Sequence, residues 1–413
     1  MGCTSSAQAN QFTNIVTAED TPTLLASPKS KNRKDTQNIL KADGQFESPD
    51  KCFNVNEHSD ELFPFEESDI LQMIVSGCDD EKSILSSKTD AQLARKQVFG
   101  EKEMNARGNI ADPSRSGLGF TCRKGSKPKN SKPNQDSWLI LKTGTFSIYG
   151  VFDGHGPDGH RVSNFVKEVL PKLIVKTRAF HDESCRSSSQ IEEMFKNVFK
   201  RLQSLIVEAT KMSKIDAELS GCTTTIIIHD HATSKLYVAW VGDSGACIGK
   251  RTASGLVPVG LTWDHKPEVE EERMRIEKRG GQVINDRVWD KDHIHGLNMS
   301  RALGDIMGNK NAGISAEPSV ITYDITPEDE VLLLCSDGIW TFVSFDEAVS
   351  MVGKFSFSQA GDAAEKLAWE ARKRWRQNSS SVDDITALTI YLNPVEDSTG
   401  LKKPRTTSTL ESI

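Results

Sequence analysis

Short runs of β-branched and other apolar residues recur at close intervals between residues 117 and 394. Such runs are typical of β-strands, because branched and aromatic side chains pack well on a pleated sheet. The clearest runs are residues 137–141, 146–152, 223–228, 236–241, 330–335 and 385–392. Several neighbouring runs are too close for a crossover helix between them, so consecutive strands are expected to pair antiparallel. This spacing favours antiparallel sheets over a doubly wound parallel sheet.

Helical patterns separate some of these strands. Apolar residues spaced three and four apart predict helices at 162–170, 191–206 and 363–371. Pro171 is expected to end the first helix, because proline lacks the main-chain donor that a helix needs. Ser344 and Glu347 form a capping-box pattern that predicts the start of another helix. The chain is therefore predicted to be an α+β fold whose sheets are covered by helices.

The two ends of the chain differ in composition from its middle. Residues 1–109 are rich in polar residues and lack a sustained apolar period, apart from a marginal helical pattern near 70–99. Ordering such a segment costs more entropy than its burial returns, so we predict a largely disordered N-terminal extension. The folded domain is predicted at 110–395, and 396–413 is expected to be a flexible tail.

Composition excludes several classes of function. The net charge of −7 gives no general attraction to nucleic acid, and no nucleic-acid partner is expected. No stretch approaches the roughly 20 apolar residues that span a bilayer. The eight cysteines are scattered without a C-x-x-C pair, which indicates reduced thiols in a cytosolic setting.

Aspartates follow or precede several of the predicted strands. They are Asp136, Asp153, Asp243, Asp337 and Asp383, and the three that follow a strand stand directly before Gly or Ser. A single Asp-Gly pair is more often a hairpin turn. Several such carboxylates in one domain would repel each other without cations between them. Because the candidate ligands are oxygens and no His/Cys cluster is present in the sequence, Mg²⁺ or Mn²⁺ is favoured over Zn²⁺.

Seven motifs that include these aspartates occur in a fixed order. They are Asn134-Gln135-Asp136, Val151-Phe152-Asp153-Gly154-His155-Gly156, Gly221-Cys222-Thr223-Thr224, Val241-Gly242-Asp243-Ser244, Ser300-Arg301-Ala302-Leu303-Gly304-Asp305, Ser336-Asp337-Gly338-Ile339-Trp340 and Asp383-Asp384-Ile385-Thr386. The series resembles that of the type 2C metal-dependent serine/threonine protein phosphatases over about 117–394. The resemblance implies a central β-sandwich of two antiparallel sheets flanked by helix pairs. It also implies phosphorylated protein substrates, and we expect a monomer.

The resemblance further implies a centre with two Mg²⁺ or Mn²⁺ ions. Asp153 would bridge both ions, with the carbonyl of Gly154 beside it. Asp337 and Asp383 would complete the shell of one ion, and Asp136 would support the other, largely through water. A water held between the ions would attack phosphorus. His155 would protonate the departing seryl or threonyl oxygen, or else it is a structural histidine that fixes the loop.

The chain departs from the family pattern at three positions. Gln135 stands where many members have Glu, and Ser131 stands where many have an Arg that grips phosphate. Lys132 or Lys124 would replace that Arg, although each lysine also fits a solvated basic loop. Thr341 stands where many members have an Asp that helps bind an additional cation. Asp243 is retained, so the sequence neither establishes nor excludes a third metal site.

The chain begins with Met1-Gly2-Cys3-Thr4-Ser5-Ser6, which fits a myristoylation signal with Gly2 as the acceptor. One myristoyl chain binds membranes reversibly, and a palmitate on Cys3 would supply the second anchor. We therefore expect the protein at the cytoplasmic face of a membrane, the plasma membrane being one candidate, and otherwise in the cytoplasm.

Two functions remain open from the sequence. One is an active phosphatase, which retention of the aspartates favours. The other is a membrane-tethered pseudophosphatase that acts as a binding module, which Gln135 and Ser131 favour.

Overall fold

The computed structural model describes residues 82–88, 99–108, 113–126, 132–294 and 296–392. All of these residues belong to one compact unit, Cys52–Ile413. The lipidation residues Gly2 and Cys3, the C-terminal tail and Ser131 lie outside the described residues.

The strands within the described ranges form three antiparallel sheets. In chain order they are β1 Ser83–Ser87, β2 Met104–Gly108, β3 Leu118–Arg123, β4 Asp136–Lys142, β5 Phe146–His155, β6 Gly221–Cys222, β7 Thr224–Asp230, β8 Lys235–Val241, β9 Gly245–Thr252, β10 Gly255–Gly260, β11 Gln282–Ile284, β12 Arg287–Trp289, β13 Gly296–Leu297, β14 Leu303–Gly304, β15 Ser319–Asp324, β16 Asp329–Cys335 and β17 Ile385–Tyr391. The first sheet has the order β15-β8-β7-β5-β4-β1-β2, and β6 joins it between β5 and β14. The second has the order β10-β9-β16-β17-β3, and β11-β12-β13 form a small third sheet.

Eight helices lie in the described ranges, and most of them pack on the outer face of one of the two large sheets. They are α1 Gly159–Val175, α2 Arg178–His181, α3 Ser188–Lys211, α4 Glu270–Lys278, α5 Ile306–Asn311, α6 Asp337–Trp340, α7 Phe345–Val352 and α8 Ala360–Asn378. Short 3₁₀ turns lie at Pro113–Ser116, Glu183–Cys185 and Phe357–Gln359. The predicted capping box is confirmed, since Ser344 and Glu347 bond reciprocally at the start of α7.

The period of two along each strand divides the core into layers. In β5, Ile148 and Phe152 face a cluster that includes α1 and α3, whereas Tyr149 and Val151 face a cluster between the two sheets. A further cluster joins the second sheet to α7 and α8. The predicted α+β sandwich with antiparallel sheets and flanking helices is confirmed.

The folded unit begins earlier than residue 110, the predicted start of the domain. Strand β1 lies inside the first sheet, paired with β2 on one side and β4 on the other. Ile84 contributes to the helix-covered core and Leu85 to the core between the sheets, and each is 1% exposed. The described residues 83–108 are therefore part of the fold rather than of an extension, and the predicted helical pattern is wrong at Ser83–Ser87.

Helix α1 also continues beyond its predicted end, because Pro171 lies inside it. Proline in a helix interior costs about 3 kcal/mol. The next residues Leu173, Ile174 and Val175 are 6%, 0% and 1% exposed. Burying side chains of this size is worth about 1.5–3 kcal/mol each, which outweighs the cost of the proline.

Candidate active site

The register of β4 and β5 places two of the predicted carboxylates opposite each other. Asp136 is the first residue of β4, and it pairs with Asp153 near the end of β5. Directly opposed side chains on neighbouring strands lie about 4.5–5.5 Å apart at Cβ. Two like charges at this separation require counter-charge.

Asp136 is fully buried, and hydrogen-bond donors reach one of its two carboxylate oxygens. Its Oδ2 accepts hydrogen bonds from Ser336 Oγ at 2.8 Å and from Thr386 Oγ1 at 2.7 Å. Its Oδ1 is buried without a hydrogen-bond partner among the described residues. Burial raises the pKa of Asp136, and the two hydroxyl donors only partly offset that rise. A buried oxygen left without a donor is suited to a cation or to an ordered water.

Asp153 lies opposite Asp136 in the register of β4 and β5, and it is close enough to Asp337 to be affected by the charge of that carboxylate. Burial raises the pKa of Asp153 well above the ordinary range of an aspartate. The charges of Asp136, Asp337, Asp383 and Asp243 raise it further. These five residues are therefore one electrostatic group, which we call the carboxylate cluster.

The loop after Asp153 needs glycine to approach its neighbours. A Cβ on Gly154 would lie 2.3 Å from the carbonyl oxygen of Gly159 and 2.7 Å from that of Gln135. The Gly154 N–H donates to that same Gln135 oxygen at 3.2 Å. Glycine at this position lets the main chain turn directly beside Asp153, as a carbonyl ligand would require.

Asp243, in the link between β8 and β9, is paired with an amine. Its Oδ2 accepts from Lys266 Nζ at 2.5 Å, while its Oδ1 is buried and has no partner in the described part of the chain. Thr341 is exposed and lies one helical turn after Asp337. Where a third cation would need a carboxylate at 341, this chain instead brings a lysine to Asp243.

The donor set of the cluster fits a hard divalent cation. It consists of carboxylate oxygens, two of them buried without donors, beside the main chain of Gly154. Among the described residues, no three His, Cys, Asp or Glu side chains already form a closed ligand set. Mg²⁺ commonly keeps several waters and binds through one or two carboxylates, so a closed cage of side chains is not required.

Asp384 has a different role from its neighbour Asp383. Its Oδ1 accepts from the N–H of Gly125 at 2.7 Å, and its Oδ2 accepts from the N–H of Gln135 at 2.8 Å. Burial and the charge of Asp136 raise the pKa of Asp384 to about 7, despite these two donors. Asp384 therefore fixes the segment that leads into Asp136.

His155 is joined to a buried carboxylate. Its Nε2 lies 2.7 Å from Oδ2 of Asp305, which is 0% exposed. Burial opposes protonation of His155, but the charge of Asp305 and the hydrogen bond to it prevail and raise the pKa of His155. A Cβ on Gly221 would lie 2.2 Å from that Asp305 oxygen, so the glycine leaves room for the pair.

The two candidate phosphate-binding lysines lie in different settings. Lys132 Nζ donates to the carbonyl oxygen of Gly156 at 2.8 Å, and Gln135 Nε2 donates to the same oxygen at 3.0 Å. Lys132 is thus placed beside the loop that carries His155. The main chain of Lys124 pairs instead with residues 99–100.

Sequence reasoning missed the residues that hold the predicted ones in place. Asp305 and Asp384 lie within motifs that were recognised, but their roles depend on contacts across 150 and 249 positions of the chain. Lys266 follows Asp264 and His265 in a segment without periodicity. The sequence marks each of these residues only as a charged residue beside a glycine or in a loop. Such residues are common in any sequence.

Comparison with known proteins agrees with this arrangement. The profile of the family described as Protein phosphatase 2C matches residues 125–380, more than half of the chain. The chain is 33% identical over 278 residues to "Probable protein phosphatase 2C 72" of Arabidopsis thaliana, covering 64% of this chain and 82% of that protein. It is 37% identical over 275 residues to "Probable protein phosphatase 2C 61" of Arabidopsis thaliana, covering 63% and 81%.

A solved structure shares the fold. It is the serine-threonine phosphatase 2C from Toxoplasma gondii, with a TM-score of 0.58 and 22% identity, covering 66% of this chain and 94% of that chain. This structural similarity shows the fold alone, whereas the matched family profile and the two relatives also show the family. The chain belongs to the protein phosphatase 2C family and is a serine/threonine protein phosphatase.

Proposed function

We propose that the chain hydrolyses phosphoserine and phosphothreonine in proteins by attack of a water held between two Mg²⁺ or Mn²⁺ ions. The observation that carries this proposal is the position of Asp153, which lies opposite Asp136 in the sheet and is affected by the charges of the other three members of the carboxylate cluster. A carboxylate so placed can serve two cations at once, and the cations would relieve the repulsion around it.

The carboxylate cluster supplies ligands from both sheets. Asp153 would hold both ions with the Gly154 carbonyl beside it, Asp337 and Asp383 would complete the shell of one, and Asp136 would support the other, largely through water. Divalent ions bound there would lower the pKa of a water and neutralise phosphoryl oxygens. Asp243, already paired with Lys266, supports a third ion least well.

His155 supplies the proton for the leaving oxygen. Asp305 holds Nε2 of His155, and the imidazole Nδ1 is buried without a partner in the described part of the chain. A protonated imidazole can give its proton to a departing alkoxide within hydrogen-bond reach. Lys132, beside the same loop, would attract the phosphate as a point charge.

The proposal is tested by assay of the full chain after metal removal. Release of phosphate from a phosphothreonine peptide and from p-nitrophenyl phosphate should be negligible without metal and should rise steeply with Mn²⁺. A pseudophosphatase that only binds phosphoproteins would bind the peptide yet release no phosphate at any Mn²⁺ concentration. That result would contradict the proposed chemistry.

We further propose that acylation of Gly2 and Cys3 anchors the enzyme at the cytoplasmic face of a membrane. Both residues lie outside the described residues, and none of the described helices has the length and apolar character to cross a bilayer. The support is the N-terminal signal together with the need for two acyl chains for stable anchoring.

Substitution of the acceptor tests the anchor. In cells, Gly2→Ala should move the protein from the membrane fraction to the soluble fraction. Cys3→Ser should weaken retention while the myristate remains attached, because one chain binds reversibly. Identical partition of wild type and Gly2→Ala would refute the anchor and leave the catalytic proposal untouched.

A further inference from the structure

Residues 99–103 run beside β3 at the edge of the second sheet, N-terminal to the region matched by the family profile. The N–H of Phe99 donates to the Lys124 carbonyl at 2.8 Å, and the N–H of Lys102 donates to the Cys122 carbonyl at 2.8 Å. This segment therefore covers β3, the edge strand of that sheet, as an additional strand would.

The segment carries a buried amine to the carboxylate cluster. Lys102 is 7% exposed, and its Nζ donates to the main-chain oxygen of Asp136 at 2.5 Å and to Ser137 Oγ at 3.3 Å. The Asp136 carboxylate itself is held by Ser336 and Thr386. Lys102 thus bonds the main chain at Asp136 and not the carboxylate, so only its charge can act on the cluster.

Lys102 and Lys266 lie at different ends of the cluster. Lys102 bonds the main-chain oxygen of Asp136, whereas Lys266 bonds the carboxylate of Asp243. Burial lowers the pKa of Lys102, and the nearby Cys122, Asp136 and Asp384 act in the opposite direction. A cluster of carboxylates approached by ammonium groups from two ends is partly neutralised before any metal binds.

We propose that Lys102 is a built-in counter-ion of the metal centre, which stabilises the metal-free protein and weakens the binding of divalent cations. The proposal rests on the metal centre proposed above. An ammonium near carboxylates favours their ionised forms by lowering their mutual repulsion, and the same charge repels an incoming cation. Lys102 contacts main chain and a hydroxyl, so it would act through the metal ligands and not on the substrate. We therefore class it as a positioning residue.

The test is Lys102→Met in the full chain, with metal binding measured directly. After metal removal, the variant should melt at a lower temperature than wild type. By isothermal titration calorimetry it should bind Mn²⁺ more tightly, by about threefold or more, because a repelling charge has gone. Lys102→Arg, which keeps the charge, should bind Mn²⁺ with wild-type affinity.

Lys167 provides a matched control. It is 1% exposed, and its Nζ donates to the main-chain oxygen of Ser87 in β1 at 2.6 Å. It therefore resembles Lys102 in burial and in bonding a carbonyl, but it binds β1 instead of Asp136. Lys167→Met should lower the melting temperature of the metal-free protein and leave the Mn²⁺ affinity unchanged.

The affinity decides between a counter-ion and a merely structural lysine. Lys102→Met binding Mn²⁺ at wild-type affinity or more weakly, or Lys167→Met tightening it equally, would overturn the proposal. Should Lys102→Met fail to fold, Lys102→Gln keeps a donor for the Asp136 carbonyl without the charge and decides in the same way. Wild type that binds no Mn²⁺ would overturn the metal centre and this proposal together.

Discussion

At the scale of single residues, the pair formed by His155 and Asp305 links a predicted site residue to an unpredicted one. The two side chains meet at 2.7 Å, and the carboxylate raises the pKa of the imidazole against the effect of burial. A histidine with a raised pKa stays protonated to higher pH, which suits a proton donor.

Asp305→Asn should therefore change the pH dependence of the reaction. Loss of the negative charge lowers the pKa of His155, so the alkaline limb of the kcat profile should shift to lower pH. We also expect kcat above neutral pH to fall by roughly tenfold, the lower end of the usual effect of a general acid. Steady-state assays across pH with a saturating phosphothreonine peptide measure both effects.

Gln203 gives the control for this substitution. It bonds both the N–H and the carbonyl of Gly304, next to Asp305, so Gln203→Leu disturbs the same turn without touching His155. That variant should keep the wild-type pH profile. An unshifted profile in Asp305→Asn would mean that His155 does not donate the proton.

The two candidate phosphate-binding lysines, Lys132 and Lys124, make a second comparison at this scale. Lys132→Met should lower kcat/KM for the phosphopeptide by about tenfold, because hydrogen bonds to charged groups are worth about 1.5–3 kcal/mol. Lys124→Met should have little effect, since Lys124 pairs through its main chain with residues 99–100. Equal losses in both variants would favour a general basic loop over a phosphate ligand at Lys132.

At the scale of elements, β1 distinguishes an integral strand from an external segment. Ile84 is 1% exposed between β2 and β4, so Ile84→Ala should lower the free energy of unfolding by about 2–4 kcal/mol. Met104, 36% exposed in β2, supplies the control, and Met104→Ala should cost under about 1 kcal/mol. Urea denaturation measures both, and a cost for Ile84→Ala as small as that of the control would contradict the assignment of β1.

The elements show which parts of the fold sequence reasoning reaches. The six predicted strands correspond to β4, β5, β7, β8, β16 and β17, because each has a sustained apolar run. Strand β1, Ser-Ile-Leu-Ser-Ser, has only two large apolar residues, and its burial depends on partners elsewhere in the chain. The end of α1 was predicted wrongly at Pro171, because the low helix propensity of proline is outweighed by burial of the residues after it.

At the scale of the whole molecule, the carboxylate cluster depends on how the two sheets meet. Asp136 and Asp153 come from the first sheet, while Asp337 follows β16 and Asp383 precedes β17 in the second. The sequence predicts each carboxylate at a strand end, and the resemblance to a family predicts that they meet. Hydroxyl and amine partners such as Thr386 could not be predicted, because they are brought in by the packing of one sheet on the other.

The most direct test of the metal-dependent mechanism is the phosphatase activity of Asp153→Asn at saturating Mn²⁺. Asparagine keeps the shape of the side chain and removes one of several repelling charges, so the variant should fold and its metal-free form should melt no lower than wild type. We predict that kcat/KM for a phosphothreonine peptide falls by about a hundredfold or more, since the ligand shared by both ions is lost. A folded Asp153→Asn protein that keeps more than about a tenth of the wild-type Mn²⁺-dependent activity would contradict the account.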